Sequence, residues 1–310
     1  MITVLAGGVG AARFLQGLVN VVPEKDITVI VNTGDDIELH GLHISPDLDI
    51  IMYTLAGIVD EEKGWGIRGD TFRCLDMLKR YGHEPWFSLG DKDFATHIYR
   101  THLLKGGLSL SEATKRLCQR LGLELKILPM TDDKFETKVV TAAGTMHFQE
   151  YFVKGRAQDE VIDVTFEGVE KARPTPEVLD SISSSDGIIV CPSNPIVSIG
   201  TILSVKGIRS ALEETEAKVA AISPIVGGSP IKGPADKLMR GLGLEVSAYA
   251  VADLYRTFLD TFVIDQVDRS EKERIEGLGL NVVKTNTIMR DLNDKVQLAR
   301  VALSLSLIHI

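Results

Sequence analysis

Aspartates suited to binding a hard cation occur in two short segments near the start of the chain. Asp35 and Asp36 are adjacent, and Asp47 and Asp49 stand two residues apart. Proteins typically hold Mg²⁺ with one or two carboxylates together with the phosphates of a substrate. We therefore predict Asp47 and Asp49 as metal ligands, and Asp47, Asp49 and Asp36 as catalytic residues. The alternative is that Asp47 only caps the helix predicted to begin beside Pro46.

A glycine-rich turn follows the first predicted strand, Ile2–Ala6, and precedes a predicted helix. Backbone amides in such a turn can approach an anion closely, and the helix N-terminus adds a partial positive charge. A tight turn without any ligand is the alternative interpretation. The predicted phosphate contacts of this turn are Gly7, Gly8, Val9, Gly10 and Arg13.

The turn departs from the fingerprint of NAD-binding proteins. That fingerprint, G-x-G-x-x-G/A, ends in glycine or alanine, whereas the sixth position counted from Gly8 is Arg13. An acidic residue should also follow the second strand to bind a ribose, but the predicted strand Ile27–Asn32 leads into Thr33. These two departures argue against an NAD-dependent oxidoreductase.

Polar or glycine-rich loops follow four of the predicted strands. Besides the first two strands, these loops are Pro192–Pro195 and Pro224–Pro230. Ligands of an open α/β sheet bind outside the carboxyl ends of its strands, so the four loops together predict a nucleotide or anion site. The predicted nucleotide contacts in these loops are Asn32, Thr33, Asp35, Ser193, Asn194, Pro195, Gly227 and Gly228.

The composition favours a cytoplasmic globular protein. The 310 residues are 44% hydrophobic and 25% charged, and 34 basic against 43 acidic residues give a net charge of −9. This acidic balance argues against nucleic acid as a partner. Three scattered cysteines do not suggest a disulfide or zinc framework, and no apolar run is long enough to span a membrane. The sequence leaves open whether the protein forms a homodimer.

Apolar runs alternate with amphipathic segments, which predicts an α/β fold: a doubly wound, mainly parallel Rossmann-like sheet. The predicted strands are Ile2–Ala6, Ile27–Asn32, Leu125–Pro129, Gly187–Cys191, Val219–Ser223, Thr261–Asp265 and Asn281–Lys284. The predicted helices of the core are Ala11–Val21, Gly200–Glu213, Pro234–Leu242, Arg269–Leu278 and Asp291–Leu303.

An inserted helical lobe is predicted at residues 45–122, between two parts of the core at residues 1–44 and 123–310. Its predicted helices are Leu48–Ile58, Asp70–Tyr81, Phe94–Leu104 and Leu110–Leu121. Lys134–Val153 alternates in polarity and predicts a β-hairpin excursion. Gln158–Pro176 is predicted to be a surface connection. The apolar tail Leu303–Ile310 is either a last strand or an extension, and we assign it no function.

Two segments of the predicted lobe carry further candidates for ligand contact. Trp65 lies in a glycine-rich loop and could stack on a flat ligand or fill an interface. Asp91, Lys92, His97 and Arg100 fall within ten residues, and they could form a binding site or only a solvated helix face.

Taken together, these segments resemble the 2-phospho-L-lactate transferase family of deazaflavin coenzyme biosynthesis. The matching segments are Leu5–Arg13, Val31–Asp36, Ile44–Asp49, Gly64–Gly66, Leu89–Asp93 with Ala95–His97, Pro192–Pro195 and Ser223–Gly228. Lys92 replaces the arginine that is associated with its loop in the family, and Ser304–Ile310 has no match.

The resemblance implies a magnesium-dependent transfer reaction. A guanosine diphospho-acid donor, lactyl or in some relatives enolpyruvyl, gives its phospho-acid to the terminal ribityl hydroxyl of the deazaflavin precursor Fo, and GMP leaves. Phosphoryl transfer needs positioning and charge neutralisation more than a covalent nucleophile. Under this interpretation the deazaflavin contacts are Asp47, Trp65, Asp91, Lys92, His97 and Arg100.

A non-catalytic regulator that binds a nucleotide sugar, of the gluconeogenesis-factor type, is the main alternative because it begins with a similar glycine turn. Trp65 and the segment Asp91–His97 favour the transferase, since a pure nucleotide binder needs no second site for a ring. The sequence leaves open whether the donor acid is lactyl or enolpyruvyl.

Overall fold

The computed structural model describes residues 1–307, which form fourteen strands and twelve α-helices. The strands are β1 Ile2–Ala6, β2 Ile27–Val31, β3 Ile37–Leu39, β4 Leu42–Ile44, β5 Lys126–Pro129, β6 Glu136–Thr141, β7 Gly144–His147, β8 Val161–Glu167, β9 Gly187–Val190, β10 Lys218–Ile222, β11 Ile225–Val226, β12 Ser229–Pro230, β13 Thr261–Asp265 and β14 Asn281–Thr285. The helices are α1 Gly8–Leu18, α2 Pro46–Leu55, α3 Arg73–Arg80, α4 Asp91–Lys105, α5 Leu110–Arg120, α6 Pro176–Ser183, α7 Ile199–Ser204, α8 Ile208–Glu214, α9 Ala235–Gly241, α10 Ala248–Tyr255, α11 Lys272–Glu276 and α12 Leu292–Ser306.

Seven strands form one sheet in the order β14-β13-β10-β9-β1-β2-β5, and all of its pairings are parallel. The chain builds outward from β1 through β2 to β5, then returns to the other side of β1 at β9. This reversal makes β1 the topological switch point, where ligands of such sheets bind. The predicted doubly wound α/β fold is confirmed.

Apolar residues alternate between the two faces of the sheet because successive side chains of a strand point in opposite directions. In β1, Leu5 packs into one hydrophobic core and Val4 into the other, and both are fully buried. On the second face α1 crosses α12 closely. A Cβ at Gly17 would collide with the carbonyl oxygen of Lys295, so this crossing requires glycine.

The four predicted lobe helices are all present, as α2 to α5. The short antiparallel pair β3–β4 precedes them and was not predicted. Leu48 of α2 and Leu110 of α5 belong to the same buried cluster as β1 and β2, so the lobe is packed onto one face of the sheet. The division of the chain at residues 44/45 and 122/123 stays a prediction.

The predicted β-hairpin is present as β6 and β7, but it belongs to a three-stranded antiparallel sheet in the order β7-β6-β8. The prediction that Gln158–Pro176 is only a surface connection was therefore wrong, because its residues Val161–Glu167 form β8. Most of β8 is exposed, so a charged exterior obscured the strand in the sequence.

Two further predictions of element boundaries differ from the structure. The helix predicted at Gly200–Glu213 is broken into α7 and α8, because Gly207 adopts a left-handed conformation with φ of 106°. The tail predicted as a strand or extension instead continues α12 through Ser306. Residues 308–310 lie outside the described residues, and α10 was not predicted.

Candidate functional site

A cavity of about 660 Å³ lies at the carboxyl edge of the sheet, beside β1. Its floor comes from the glycine turn after β1, and its walls include loops after β9, β10 and β14. The lobe contributes α2, the loop at Lys63–Gly66 and the start of α4. Core and lobe thus enclose one space at the switch point of the sheet. A cavity of this size accommodates an extended small-molecule ligand.

The cavity wall brings together many of the residues that the sequence predicts as site residues. Those that line it are Gly7, Gly8, Val9, Gly10, Arg13, Asp35, Asp47, Asp49, Trp65, His97, Ser193 and Asn194. Those that do not line it are Asn32, Thr33, Asp36, Asp91, Lys92, Arg100, Pro195, Gly227 and Gly228.

The glycine turn is held tightly between two other loops. A Cβ at Gly7 would lie 2.7 Å from the Cβ of Ser198 and 2.8 Å from Oδ2 of Asp47. Gly8 has a φ of 70°, a left-handed conformation that other residues rarely adopt. The hydroxyl of Ser193 donates a hydrogen bond of 2.8 Å to the carbonyl of Gly7. The turn therefore places the N-terminus of α1 at the cavity, and the first amides of a helix are groups that can bind an anion.

Asn32 connects the carboxyl end of β2 to Asp47. Its amide nitrogen donates to Oδ2 of Asp47 at 2.9 Å and to the carbonyl of Val197 at 3.2 Å. Its carbonyl oxygen accepts from the amide of Gly34 at 2.8 Å and from the hydroxyl of Thr201 at 2.7 Å. The side chain is fully buried and its hydrogen bonds are used within the protein. Its direct contact with a nucleotide stays a prediction, while its position fixes the carboxylate of Asp47.

Asp35, Asp36 and Asp47 form a buried acidic cluster. Oδ1 of Asp35 and Oδ1 of Asp36 have no hydrogen-bond partner among the described residues. Burial, followed by the charges of Asp47 and Asp36, raises the pKa of Asp35 well above its usual range. Burial is also the main cause that raises the pKa of Asp47 to about 7, although hydrogen bonds from Asn32 and the amide of Gly8 lower it. A cation in the cluster would relieve both effects.

The acidic cluster fits a magnesium ion of the kind that shares its ligands with substrate phosphates. No group of three histidine, cysteine or acidic side chains in residues 1–307 is placed as a complete metal cage. Mg²⁺ does not require one, since it is usually bound through one or two carboxylates plus phosphate oxygens and water. Asp35 and Asp47 line the cavity beside the glycine turn, and Asp35 brings an oxygen without a hydrogen-bond partner among the described residues.

Asp49, also predicted as a metal ligand, makes a buried ion pair with Arg100. The two guanidinium Nη atoms contact both carboxylate oxygens, and Arg100 is fully buried. Burial disfavours the charge of Arg100, but the charge of Asp49 outweighs it and leaves the pKa of the guanidinium raised. Metal binding by Asp49 would have to compete with this pair, and that assignment stays a prediction.

His97 extends the ion pair of Asp49 and Arg100 into the first turn of α4. Its Nδ1 lies 3.6 Å from Oδ2 of Asp49, and its Nε2 lies 3.2 Å from Oδ1 of Asp93. Tyr53 donates a hydrogen bond of 2.7 Å to the same oxygen of Asp93. This buried network connects α2 with α4 at the cavity wall, so it fixes the first turn of α2.

Asp91 and Lys92 connect loops of the lobe at a distance from the cavity. Asp91 accepts hydrogen bonds from the amides of Arg73 and Cys74, at the start of α3. Lys92 donates through Nζ to the carbonyls of Arg68 and Gly69, at 2.9 and 3.2 Å. Their predicted contacts with a deazaflavin stay untested, and in this structure they stabilise the loop that carries Trp65.

Gly227 and Gly228 shape the loop after β10. Both have positive φ, and the amide of Gly227 donates to the carboxylate of Asp268. They turn the chain toward Ile231 and Lys232, which line the cavity.

Several cavity residues were missed in the sequence. Phe148 and Phe152 line the cavity from the segment after β7, and Lys63 and Lys232 line it from two facing loops. In the sequence, the glycines that follow Lys63 and Lys232 could have indicated that these two lysines lie in loops. The two phenylalanines gave no such indication in the sequence, because apolar residues at these positions are also expected in a buried hairpin.

The fold and the cavity together define the class of the protein. It is an α/β protein of Rossmann topology with a cavity between a glycine turn and an acidic cluster. The model of the family described as 2-phospho-L-lactate transferase CofD matches residues 2–301. The chain therefore belongs to the CofD family, as its sequence motifs suggested.

Named relatives align with nearly the whole chain. A Streptomyces griseus protein named phosphoenolpyruvate transferase is 48% identical, over 98% of this chain and 98% of its own. A Methanosarcina acetivorans protein named 2-phospho-L-lactate transferase is 42% identical, over 97% of this chain and 98% of its own. The resemblance to a transferase family is thus confirmed.

A crystal structure of a UPF0052-family protein from Bacillus halodurans has a similar fold. Its TM-score is 0.64 at 15% identity, and the alignment covers 97% of this chain and 98% of the other.

None of the helices in residues 1–307 combines the length and apolar character needed to cross a membrane. The cytoplasmic location and the oligomeric state stay predictions.

Proposed function

We propose that the protein transfers a phospho-acid from a guanosine diphospho-acid donor to the terminal ribityl hydroxyl of Fo, with release of GMP. The observation that carries this proposal is the close approach of the glycine turn to the acidic cluster: a Cβ at Gly7 would lie 2.8 Å from Oδ2 of Asp47, and one at Gly8 would lie 3.8 Å from its Oδ1. A donor diphosphate on the turn would place its reacting phosphorus beside Asp47. The bond from the hydroxyl oxygen to phosphorus forms, the bond from phosphorus to the GMP oxygen breaks, and the hydroxyl proton is released.

The names of the relatives support one choice of donor. Relatives at 47–48% identity are named phosphoenolpyruvate transferase, and those from Methanosarcina at 40–42% are named 2-phospho-L-lactate transferase. Both names describe the transfer of a three-carbon phospho-acid. The higher identity favours an enolpyruvyl donor over a lactyl donor.

Magnesium is the cofactor that we propose, with Asp35 and Asp47 as the residues that would hold it. When bound, the ion would neutralise the phosphate charge that develops during transfer. The protein's own groups would position the reactants. The turn binds the diphosphate, and Asn32 orients Asp47. The ion pair of Asp49 and Arg100 fixes the first turn of α2, which carries Asp47.

Enzyme assays with the two donors test this function. The purified protein is incubated with Mg²⁺, Fo and either the lactyl or the enolpyruvyl diphosphoguanosine donor, and GMP and the new deazaflavin product are measured by chromatography and mass spectrometry. We expect equimolar GMP and product, with the higher kcat/KM for the enolpyruvyl donor. A protein that binds GDP but releases no GMP from either donor would instead be a nucleotide-binding regulator.

A further inference from the structure

An aromatic face on the cavity wall has no role in the site described so far. Phe152 lines the cavity and is 39% exposed, although it is a large apolar side chain. Its ring is nearly parallel to that of Phe148, with an angle of 7° and a centroid distance of 5.6 Å. Phe148 is buried. One face of the Phe152 ring is thus supported from behind, while the side chain remains partly accessible at the cavity.

The segment that carries Phe152 is anchored to the acidic cluster. Nδ1 of His147 accepts a hydrogen bond from the amide of Gln149 at 3.1 Å, so Nε2 carries the proton and donates to the carbonyl of Asp36 at 3.1 Å. The neighbouring Tyr151 is fully buried. Residues Glu150–Lys154 form a π-helical turn, a rare conformation that often occurs at functional sites. The aromatic face is therefore held in place before any ligand binds.

The cavity wall near Phe152 is apolar and aromatic. Val153 and Phe87 line the cavity as well, and Lys154 lies 6.0 Å from the ring centroid of Trp86, beside Phe87. This contact connects the π-helical turn with the loop before α4. A flat ligand between these elements would meet apolar surface over most of its area, as ring-binding sites typically provide.

Trp65, the ring contact predicted from the sequence, is less suited to support a stacked ring. Lys63 Nζ lies 5.7 Å from its ring centroid, and Phe72 meets it edge-on at 61°. A cation therefore already lies near the Trp65 ring, whereas no cation–π contact of the described residues involves Phe152.

We propose that Phe152 stacks on the fused three-ring system of the deazaflavin acceptor and so determines acceptor binding. This inference rests on the proposed function. The guanine of the donor is a smaller ring whose edge consists of hydrogen-bonding groups, and burying them unpaired against Val153 and Phe87 would cost binding energy. A fused tricyclic ring has more apolar face to cover. Phe152 also lines the same cavity as Asp35 and Asp47, where the acceptor hydroxyl would react, and the bond of His147 to Asp36 ties its segment to that cluster.

Binding measurements with substituted proteins test this assignment. Phe152→Ala removes the aromatic face, Phe152→Leu keeps apolar volume without it, and Phe152→Trp restores it. Tyr81→Ala is the matched control, because Tyr81 is 76% exposed and does not line the cavity. Fo binding is followed by its fluorescence and GDP binding by calorimetry, and the thermal midpoint of each variant reports folding.

We expect the Kd for Fo to rise about tenfold in Phe152→Ala and Phe152→Leu, the scale of losing one aromatic stacking partner. Phe152→Trp should bind Fo as the wild type does, and the Kd for GDP should stay the same throughout. An unchanged Kd for Fo, or an equal rise for GDP, in a variant with a wild-type thermal midpoint overturns the assignment alone. A wild-type protein that binds no Fo overturns the proposed function together with it.

Discussion

Asp47 occupies the point where the glycine turn after β1 meets the acidic cluster. It is 7% exposed, accepts a hydrogen bond from Asn32, and packs within 2.8 Å of the position that a Cβ on Gly7 would take. A carboxylate so placed can hold a cation or orient a hydroxyl only if its neighbours keep it in one position. The burial that raises its pKa also marks it as a functional candidate.

We predict that Asp47→Asn lowers kcat by about 10²-fold or more, the scale of losing one electrostatic contact in a transition state. Asparagine keeps the size of the side chain, so the fold should persist. Steady-state kinetics check this, with Asp180→Asn as the control, because Asp180 is exposed and does not line the cavity. Normal turnover of Asp47→Asn at low Mg²⁺ would show that Asp47 is only a helix cap.

We predict that Gly8→Val weakens GDP binding at least tenfold, or about 1.4 kcal/mol. A β-branched residue does not tolerate the φ of 70° at Gly8, and its side chain would displace the turn from the anion. Calorimetric titration with GDP measures the effect. Gly57→Val is the control, since Gly57 has a φ of 68° but open space around it. Equal GDP affinity in a folded Gly8→Val protein would remove the turn from the site.

At the scale of elements, a buried ion pair joins two helices of the lobe. Asp49 belongs to the first turn of α2 and Arg100 to the third turn of α4. A buried pair contributes little net stability when intact, but removal of one partner leaves a charge without compensation. The pair therefore makes the position of α2, and of Asp47 on it, depend on α4.

We predict that Arg100→Met destabilises the protein by about 3–5 kcal/mol, the cost of leaving one buried charge unpaired. The double variant Asp49→Leu with Arg100→Met should regain most of that loss, because neither charge then remains. Chemical denaturation of the single and double variants measures both. If Arg100→Met alone unfolds at the wild-type denaturant concentration, the ion pair does not hold α2 to α4.

At the scale of the whole molecule, the cavity lies between the sheet edge and the lobe, and its aromatic and phosphate-binding parts belong to different segments. The two proposed ligands would therefore bind side by side. The acceptor hydroxyl and the donor phosphate must meet at Asp47 for in-line transfer.

We predict that Fo binds with saturating GDP present, at an affinity no weaker than without it. The measurement is a fluorescence titration of Fo in the presence and absence of GDP. Mutual exclusion of the two ligands would mean that they share one position, and the model of a two-substrate transferase would be wrong.

We predict that Mg²⁺ raises the thermal midpoint more at about pH 8 than at about pH 5. Without a cation, the folded pKa of Asp47 is about 7 against an ordinary 3.8. The folded state then retains a proton that the unfolded state releases, so the contribution of Asp47 to stability falls as pH rises between those values. Bound Mg²⁺ replaces this proton at high pH and competes with it at low pH. A Mg²⁺ effect that is independent of pH, or equal in Asp47→Asn, would contradict this site.

The sequence by itself determined the elements that are specified by patterns within a few neighbouring residues. The apolar strands, the four lobe helices and the glycine turn follow from periodicity and backbone conformation within a few residues. Because the carboxyl ends of parallel strands meet at one edge, the sequence also indicated where Gly8 and Ser193 would come together. The strand β8 was missed although Asp163–Glu167 alternates polar exposed with apolar half-buried residues, because it lies within the charged segment Gln158–Pro176, whose composition favoured a surface connection.

Only the tertiary structure decided which side chains act on each other. Asn32 and Asp47 are 15 residues apart, and Asp49 and Arg100 are 51 apart, yet each pair is in contact. The exposure of Phe152 on the cavity wall depends on a hairpin folding back to Asp36. No local pattern specifies such contacts, because they depend on how separate elements pack and on which polar groups burial leaves to pair with each other.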